Sequence, residues 1–324
     1  MTIDLLGPTA YMSFFLVMAL LNGIVCLGLN VQWGQTGLFN VGVAGFVAIG
    51  AYASALLTTP PSDGRLGGFG LQIAVGWIGA IAAAGGASAA VGALTLRLRA
   101  DYLAITTFGV AVVVQLVALN AKALTGGAFG VAFTPRPFES FASTPALYDL
   151  MNLALVAAVT LTIFVALERL ARSPWGRVLR AIREDERAAM ALGKSPARYR
   201  LQAFALGGAL MGLAGAMEAH FIGFIAPENY LSALTFQVWA MLIVGGSGNN
   251  LGALLGAALV WGLSTLSGLV ISDVVPAPDQ ARAAALRLVA IGILLSAMIV
   301  LRPRGLIGER PLVSRHLSDA EASP

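Results

Sequence analysis

Cysteine, histidine and charge are nearly missing from this chain of 324 residues. One cysteine, Cys26, excludes an internal disulfide and a cysteine metal cluster. The two histidines, His220 and His316, lie far apart and form no HExxH pattern, so no metal site is expected. Only 11% of residues are charged, where a soluble globular chain carries about 25%. No GxxxxGK[ST] run is present to cradle a nucleoside triphosphate, and no GxSxG elbow to present a serine. The dense carboxylates Glu184, Asp185 and Glu186 sit among arginines and read as a solvated face. Enzyme chemistry and a bound cofactor are therefore not expected.

What remains is apolar: 58% of residues are hydrophobic and the mean hydropathy is +0.82. A hydrocarbon core of about 30 Å needs about 20 apolar residues to cross as a helix. Segments of about that length fall at 10–30, 38–58, 71–96, 102–121, 148–168, 199–220, 231–246, 251–271 and 285–301. Residues 1–11 carry no base and the apolar run beyond is too long for a signal peptide, so the first segment reads as a retained membrane anchor. The fold class is an all-α, polytopic helical bundle of about 8–10 transmembrane helices. Small-residue runs such as AAAGGASAAVGAL (82–94) and LGGALMGLAGA (206–216) predict close helix packing. A net charge of +4 is read as topology, not as affinity for nucleic acid. Two bases at Arg97 and Arg99, nine between 168 and 200, and four at Arg302, Arg304, Arg310 and Arg315 can share one side, which the positive-inside rule makes cytoplasmic. Nine spans then put the N-terminus outside.

The most informative stretch is the charged connection ERLARSPWGRVLRAIREDERAAMALGKSPARYR (168–200) between two apolar segments. Ser173-Pro174 reads as an N-cap with proline at the first helical position, and Gly193 as a stop. Trp175, Val178, Leu179 and Ile182 form an amphipathic stripe, and a second short helix capped near Asp185 would present small residues. Such a structured, water-exposed element suits docking to a soluble protein. An interfacial helix lying on lipid headgroups is the alternative.

Two segments, WGQTGLFNVGVAGFVAIGAY (33–52) and VGGSGNNLGALLGAAL (244–259), set a Gly-rich polar knot against an apolar run. Each reads either as a discontinuous helix lining a path or as a Gly-rich turn. The uncharged polar residues available to a path are Gln35, Thr36, Asn40, Thr106, Thr107, Gln115, Asn120, Gln237, Ser247, Asn249 and Asn250. Interhelical hydrogen bonds are the simpler role for each of them. Glu218 and His220, at the outer end of the sixth span, read as interface-exposed residues.

The run RSPWGRVLRAIREDERAAMALGKSPARYRLQAF (172–204), followed by GLAGAMEAHFIGFIAPENY (212–230), resembles permease subunits of branched-chain amino acid ABC importers. So do RLRADYLAITTFGV (97–110), TGGAFGV (125–131), GQTGLFNVGVAGFVAIGAYASALL (34–57), LIVGGSGNNLGALLGAAL (242–259) and LRPRGLIG (301–308), in the family's order. The resemblance implies a permease domain over 1–308 with an inverted internal repeat, a cytoplasmic coupling segment at 169–198 and a tail at 309–324. It implies ATP-driven import of branched-chain or other hydrophobic amino acids across a bacterial inner membrane. The partners would be a homologous second permease subunit, two cytoplasmic ATP-binding subunits, a periplasmic solute-binding protein and membrane lipid. Glu184, Asp185, Glu186, Ala188, Ala189, Leu192 and Gly193 correspond to the importers' coupling loop, with the acid at Glu186 one place early. The chain departs from many members at Phe39-Asn40, where they carry Gly-His, and at Val112 and Gln115, where they carry Glu and Arg. Relatives that move urea, short amides or other small polar metabolites keep the solute open. An ion-gradient-driven secondary transporter is the alternative of a different class.

Overall fold

The computed structural model describes residues 6–61, 66–96, 98, 100–141, 143–274 and 305–309, with isolated positions between 276 and 301. The helices are α1 (Leu6–Gln32), α2 (Val43–Thr58), α3 (Ile73–Thr95), α4 (Ala100–Asn120), α5 (Lys122–Thr125), α6 (Pro145–Arg172), α7 (Pro174–Glu184), α8 (Glu186–Ala191), α9 (Pro196–Ile222), α10 (Ser232–Gly245) and α11 (Asn250–Val274). The only sheet among the described residues joins β1 (Val131–Ala132) to β2 (Phe224–Ile225), antiparallel, with Val131 opposite Ile225. Six helices, α1, α3, α4, α6, α9 and α11, are long and apolar enough to cross a membrane. The expected ninth span, 285–301, falls where only isolated residues are described, and the tail beyond Glu309 lies outside the described residues.

Two of the expected spans are shorter than the sequence suggested. α2 has 16 residues and α10 has 14, which at 1.5 Å per residue is about 24 Å and about 21 Å, less than the hydrocarbon core. The missing length is irregular backbone: residues 33–42 before α2, and residues 223–231, which hold β2 and a single 3₁₀ turn, before α10.

α1 and α9, 27 residues each, form the centre. In their most apolar stretches 67% and 61% of residues are buried, against 22–28% in α3, α4, α6 and α11, whose outer faces are left for lipid or a partner. α9 packs on α2 and α3, while α1 packs on α10 and α11. Each long central helix is thus followed by an irregular stretch, a short helix and another long helix, and each packs on the short and long helix of the other set. The end of α1 meets the start of α9 at Gln32 and Phe204, and the start of α1 meets the end of α9 at Phe14 and Phe221, so the two sets run in opposite directions, as an inverted repeat does. The contact is close because it is made of glycine: a Cβ on Gly50 of α2 would collide with the backbone of Gly212 of α9. Around it pack Phe46 and Phe204, both fully buried, with ring centroids 5.8 Å apart.

Candidate functional site: coupling hairpin and translocation path

α7 and α8 lie between the ends of α6 and α9 and are built by their caps. Ser173 Oγ accepts from Gly176 N and donates to the Leu170 carbonyl at 2.6 Å, ending α6 and starting α7 with one side chain. Gly176 is required there, because a Cβ would strike the Ala171 backbone. Arg180 Nη2 and Arg177 Nη1 donate to the free carbonyls of Ala171 and Arg172, at 2.9 and 3.0 Å, at the negative end of α6. The apolar stripe faces inward, with Leu179 and Ile182 buried, and Trp175 Nε1 donates to Gln202 Oε1 of α9 at 2.8 Å. Asp185 caps α8, its Oδ1 accepting from Arg187 N at 2.9 Å and Ala188 N at 3.0 Å. Glu186 pairs with Arg200 of α9 at 2.8 Å. Ala189 is buried, whereas Ala188, Met190, Leu192 and Gly193 are exposed, Leu192 to 78%. The result is a hairpin held by its caps, with a small apolar surface exposed.

Arg183 wires this hairpin to the bundle. Its Nη1 donates to the Gly34 carbonyl in the first Gly-rich knot, and its Nη2 to Glu309 Oε2 at 2.7 Å and Glu184 Oε1 at 2.8 Å. Burial works against the guanidinium charge, but the hydrogen bonds and charges of Glu309 and Glu184 outweigh it and hold the pKa above the ordinary arginine value. Behind Gly34 the two knots meet. Asn30 Oδ1 accepts from Gly248 N at 2.8 Å, and Asn30 Nδ2 donates to Asn250 Oδ1 at 2.9 Å. Asn250 Nδ2 reaches Glu168 Oε2 of α6 at 3.1 Å. Leu306 N and Ile307 N donate to the Val244 and Gly245 carbonyls at 2.9 and 3.0 Å, bringing Glu309 into place.

The two short helices meet by their N-terminal turns: Ala44 N of α2 donates to Thr235 Oγ1 of α10 at 3.0 Å. Trp33, Phe39 and Trp239 pack edge-on beside this junction, with Trp239 Nε1 donating to the Asn40 carbonyl at 2.8 Å. The first knot therefore re-enters the bundle. The second does not: Gly246–Asn249 is a tight turn between α10 and α11 at the α7 end, with Asn249 Oδ1 accepting from Leu251 N at 3.0 Å as the N-cap of α11. The interruption that matches the first knot lies instead at 223–231.

Most of the polar residues singled out in sequence already have partners. Asn40 Nδ2 donates to Gln32 Oε1 at 2.6 Å and its Oδ1 accepts from Gly42 N at 2.7 Å. Thr107 Oγ1 accepts from Val41 N and donates to the Ala104 carbonyl, both at 3.0 Å. Thr36, Thr106 and Asn120 bond back to carbonyls four residues earlier. Ser247 is exposed, Gln115 is half-buried on α4, and Gln35 is buried with an unpartnered Oε1. Gln237 lines a cavity of about 300 Å³ with Asn22, Glu218 and Trp261. Here the interface reading of Glu218 and His220 fails. His220 is fully buried, its Nε2 2.8 Å from Ser54 Oγ and its Nδ1 2.7 Å from the Pro135 carbonyl, because the 131–136 segment folds over the end of α9. Glu218, two residues earlier on α9, faces the cavity. Sequence spacing alone gave no signal for Asn22 and Asn229 beside it. Among the described residues no cluster of His, Cys, Asp or Glu is arranged to hold a metal ion.

Residues 11–299 match the family model of the branched-chain amino acid transport system permease component. The chain belongs to this family. It is 37% identical over 259 residues to the high-affinity branched-chain amino acid transport system permease protein LivM of Escherichia coli K12, an alignment covering 73% of this chain and 59% of that protein. The chain thus spans about three-fifths of the length of that curated relative. It is 27% identical over 326 residues to a probable LivM permease of Methanocaldococcus jannaschii, covering 90% of this chain and 91% of that one. LivH of Escherichia coli K12, a second permease protein of such systems, is 24% identical over 261 residues, with 77% and 82% covered. No solved structure matches. With six helices among the described residues able to cross a membrane and this family membership, the chain is a multi-pass membrane protein of the permease family.

Proposed function

We propose that the chain is one half of the membrane pore of an ATP-driven importer for branched-chain or other hydrophobic amino acids, working by alternating access in a bacterial inner membrane. Its partners in this reading are a homologous second permease, two cytoplasmic ATP-binding subunits and a periplasmic solute-binding protein. The observation that carries it is the α7–α8 hairpin. It stands in water at the basic, cytoplasmic end, holds Leu192 and Met190 exposed, and is bonded through Arg183 to the knot that leads into α2. Glu184, Asp185 and Glu186 order the hairpin, while Ala188, Leu192 and Gly193 form the face offered to an ATPase. Ala189, buried beneath that face, supports it from inside. Closure of the ATPases would pull on α7, and Arg183 would pass the pull to Gly34 and Glu309 and so to the α2–α10 junction. The path runs along that junction, past Gln237.

The test is Leu192→Arg. The side chain lies in water, so the fold and membrane insertion are expected to be unaffected, while burying a charge at a fitted contact should cost several kcal/mol. Co-purification of the ATP-binding subunit should fall by more than about tenfold. Full co-purification with wild-type uptake would overturn the assignment of this face.

A further inference from the structure

The cavity of about 300 Å³ is a partly open cleft lined by α1, α2, α9, α10, α11 and the turn that holds Asn229, on the side of the bundle away from the coupling hairpin. That volume is within the range of small-molecule sites. Its walls are mostly apolar, with Leu21, Val47 and Leu234 among them, and several of its polar groups keep unused hydrogen-bonding atoms. Among the described residues Glu218 has no hydrogen bond and no ion pair. Trp261 keeps a buried indole N–H with no partner. Asn22 uses its amide N–H on the Met18 carbonyl at 2.9 Å, leaving Oδ1 free to accept. The amides of Gln237 and Asn229 complete the lining. Asn22 is buried, Glu218, Gln237 and Trp261 are half-buried, and Asn229 is exposed at the rim. Buried polar groups are normally satisfied, so the orphaned Trp261 N–H, with polar groups converging beside it in an apolar pocket, marks a ligand's place.

The donors and acceptors also sort by sign. One carboxylate and one amide oxygen can take a cationic N–H group. One indole N–H and two carboxamides can take an anionic oxygen. An apolar wall lies alongside. We infer that this cavity is a solute subsite within the permease itself, in which Glu218 and Asn22 hold the ammonium group of an amino acid. Trp261, Gln237 and Asn229 hold its carboxylate, and the apolar wall receives a branched side chain. The inference rests on the importer reading and goes beyond it. It assigns the membrane subunit its own contacts with the solute, so that recognition is not left to a separate binding protein.

The experiment uses the assembled transporter in nanodiscs without a solute-binding protein, and in proteoliposomes with it. The probes are L-leucine and 4-methylpentanoate, which lacks the ammonium group. Glu218→Gln keeps the shape of the side chain, and Trp261→Phe keeps the ring but removes the N–H. Assembly of each variant is checked by subunit co-purification. The wild type should bind leucine at least about tenfold more tightly than 4-methylpentanoate. Glu218→Gln should erase that preference by weakening leucine alone, and Trp261→Phe should weaken both probes. Leucine import by Glu218→Gln with wild-type KM and kcat would overturn the subsite while leaving the importer reading intact. A wild-type assembly that neither binds nor imports leucine, isoleucine or valine would overturn both.

Discussion

The two ends of this bundle treat polar side chains in opposite ways. At the end that carries the α7–α8 hairpin, Asn30, Asn250, Asn249, Glu168, Arg183 and Glu309 are joined in one web, in which nearly every donor meets an acceptor of the same chain. Across the α2–α10 junction, Glu218, Gln237, Asn229 and the Trp261 indole face a cavity with their hydrogen-bonding capacity unused. Both regions are rich in amides, so residue type does not separate them. The difference is pairing. Paired groups fix two irregular turns and the α7–α8 hairpin in one geometry, whereas unpaired groups are available to a ligand.

The largest effect should come from breaking the web at its centre. Asn30→Leu leaves Gly248 N and Asn250 Oδ1 unpaired, at about 1–3 kcal/mol for each buried group. The detergent-purified chain should lose several degrees of thermal stability. Unchanged melting would mean that the web is incidental. Arg183→Gln comes next, removing charge-assisted bonds to Glu309 and the Gly34 carbonyl worth about 1.5–3 kcal/mol. Faster hydrogen exchange confined to residues near 34 and 305–309 is the expected signature. Asp185→Ala removes the cap of α8 and should cost about 1 kcal/mol, read as increased protease sensitivity of the 186–194 segment. Smallest is Glu218→Gln, which should change stability by less than about 0.5 kcal/mol even though it strikes solute handling hardest. A large stability loss there would place Glu218 in the first class and erase the contrast between the two ends.

Much of this was legible in the sequence, and the reasons it was are local. Ser173, Pro174, Asp185 and Gly193 encode the hairpin through capping rules that act within four residues, so its two helices could be drawn before any coordinates. Gly-rich runs announced close packing, and Gly50 against Gly212 delivers it. What sequence could not supply was depth. The short lengths of α2 and α10 depend on where irregular backbone enters the bundle. The outer interruption at 223–231 looked like a loop because its Gly, Pro and Asn are also loop residues. The second Gly-rich knot looked like its mate but is a turn, since Asn249 caps α11 as soon as α10 ends. His220 and Glu218 looked exposed because they sit near a helix end. The fold-back of residues 131–136 over that end, paired with 224–225, covers His220, while Glu218 is half-buried at the cavity.

The account's central claim is that force applied to the α7–α8 hairpin reaches the α2–α10 junction through Arg183. Solute imported per ATP hydrolysed, measured in proteoliposomes for the wild type and Arg183→Gln, tests it most directly. The expected result is continued ATP hydrolysis with about tenfold less import per ATP, equivalent to about 1.4 kcal/mol of lost coupling. An unchanged ratio, with Gly34 and Glu309 released from Arg183, would contradict it.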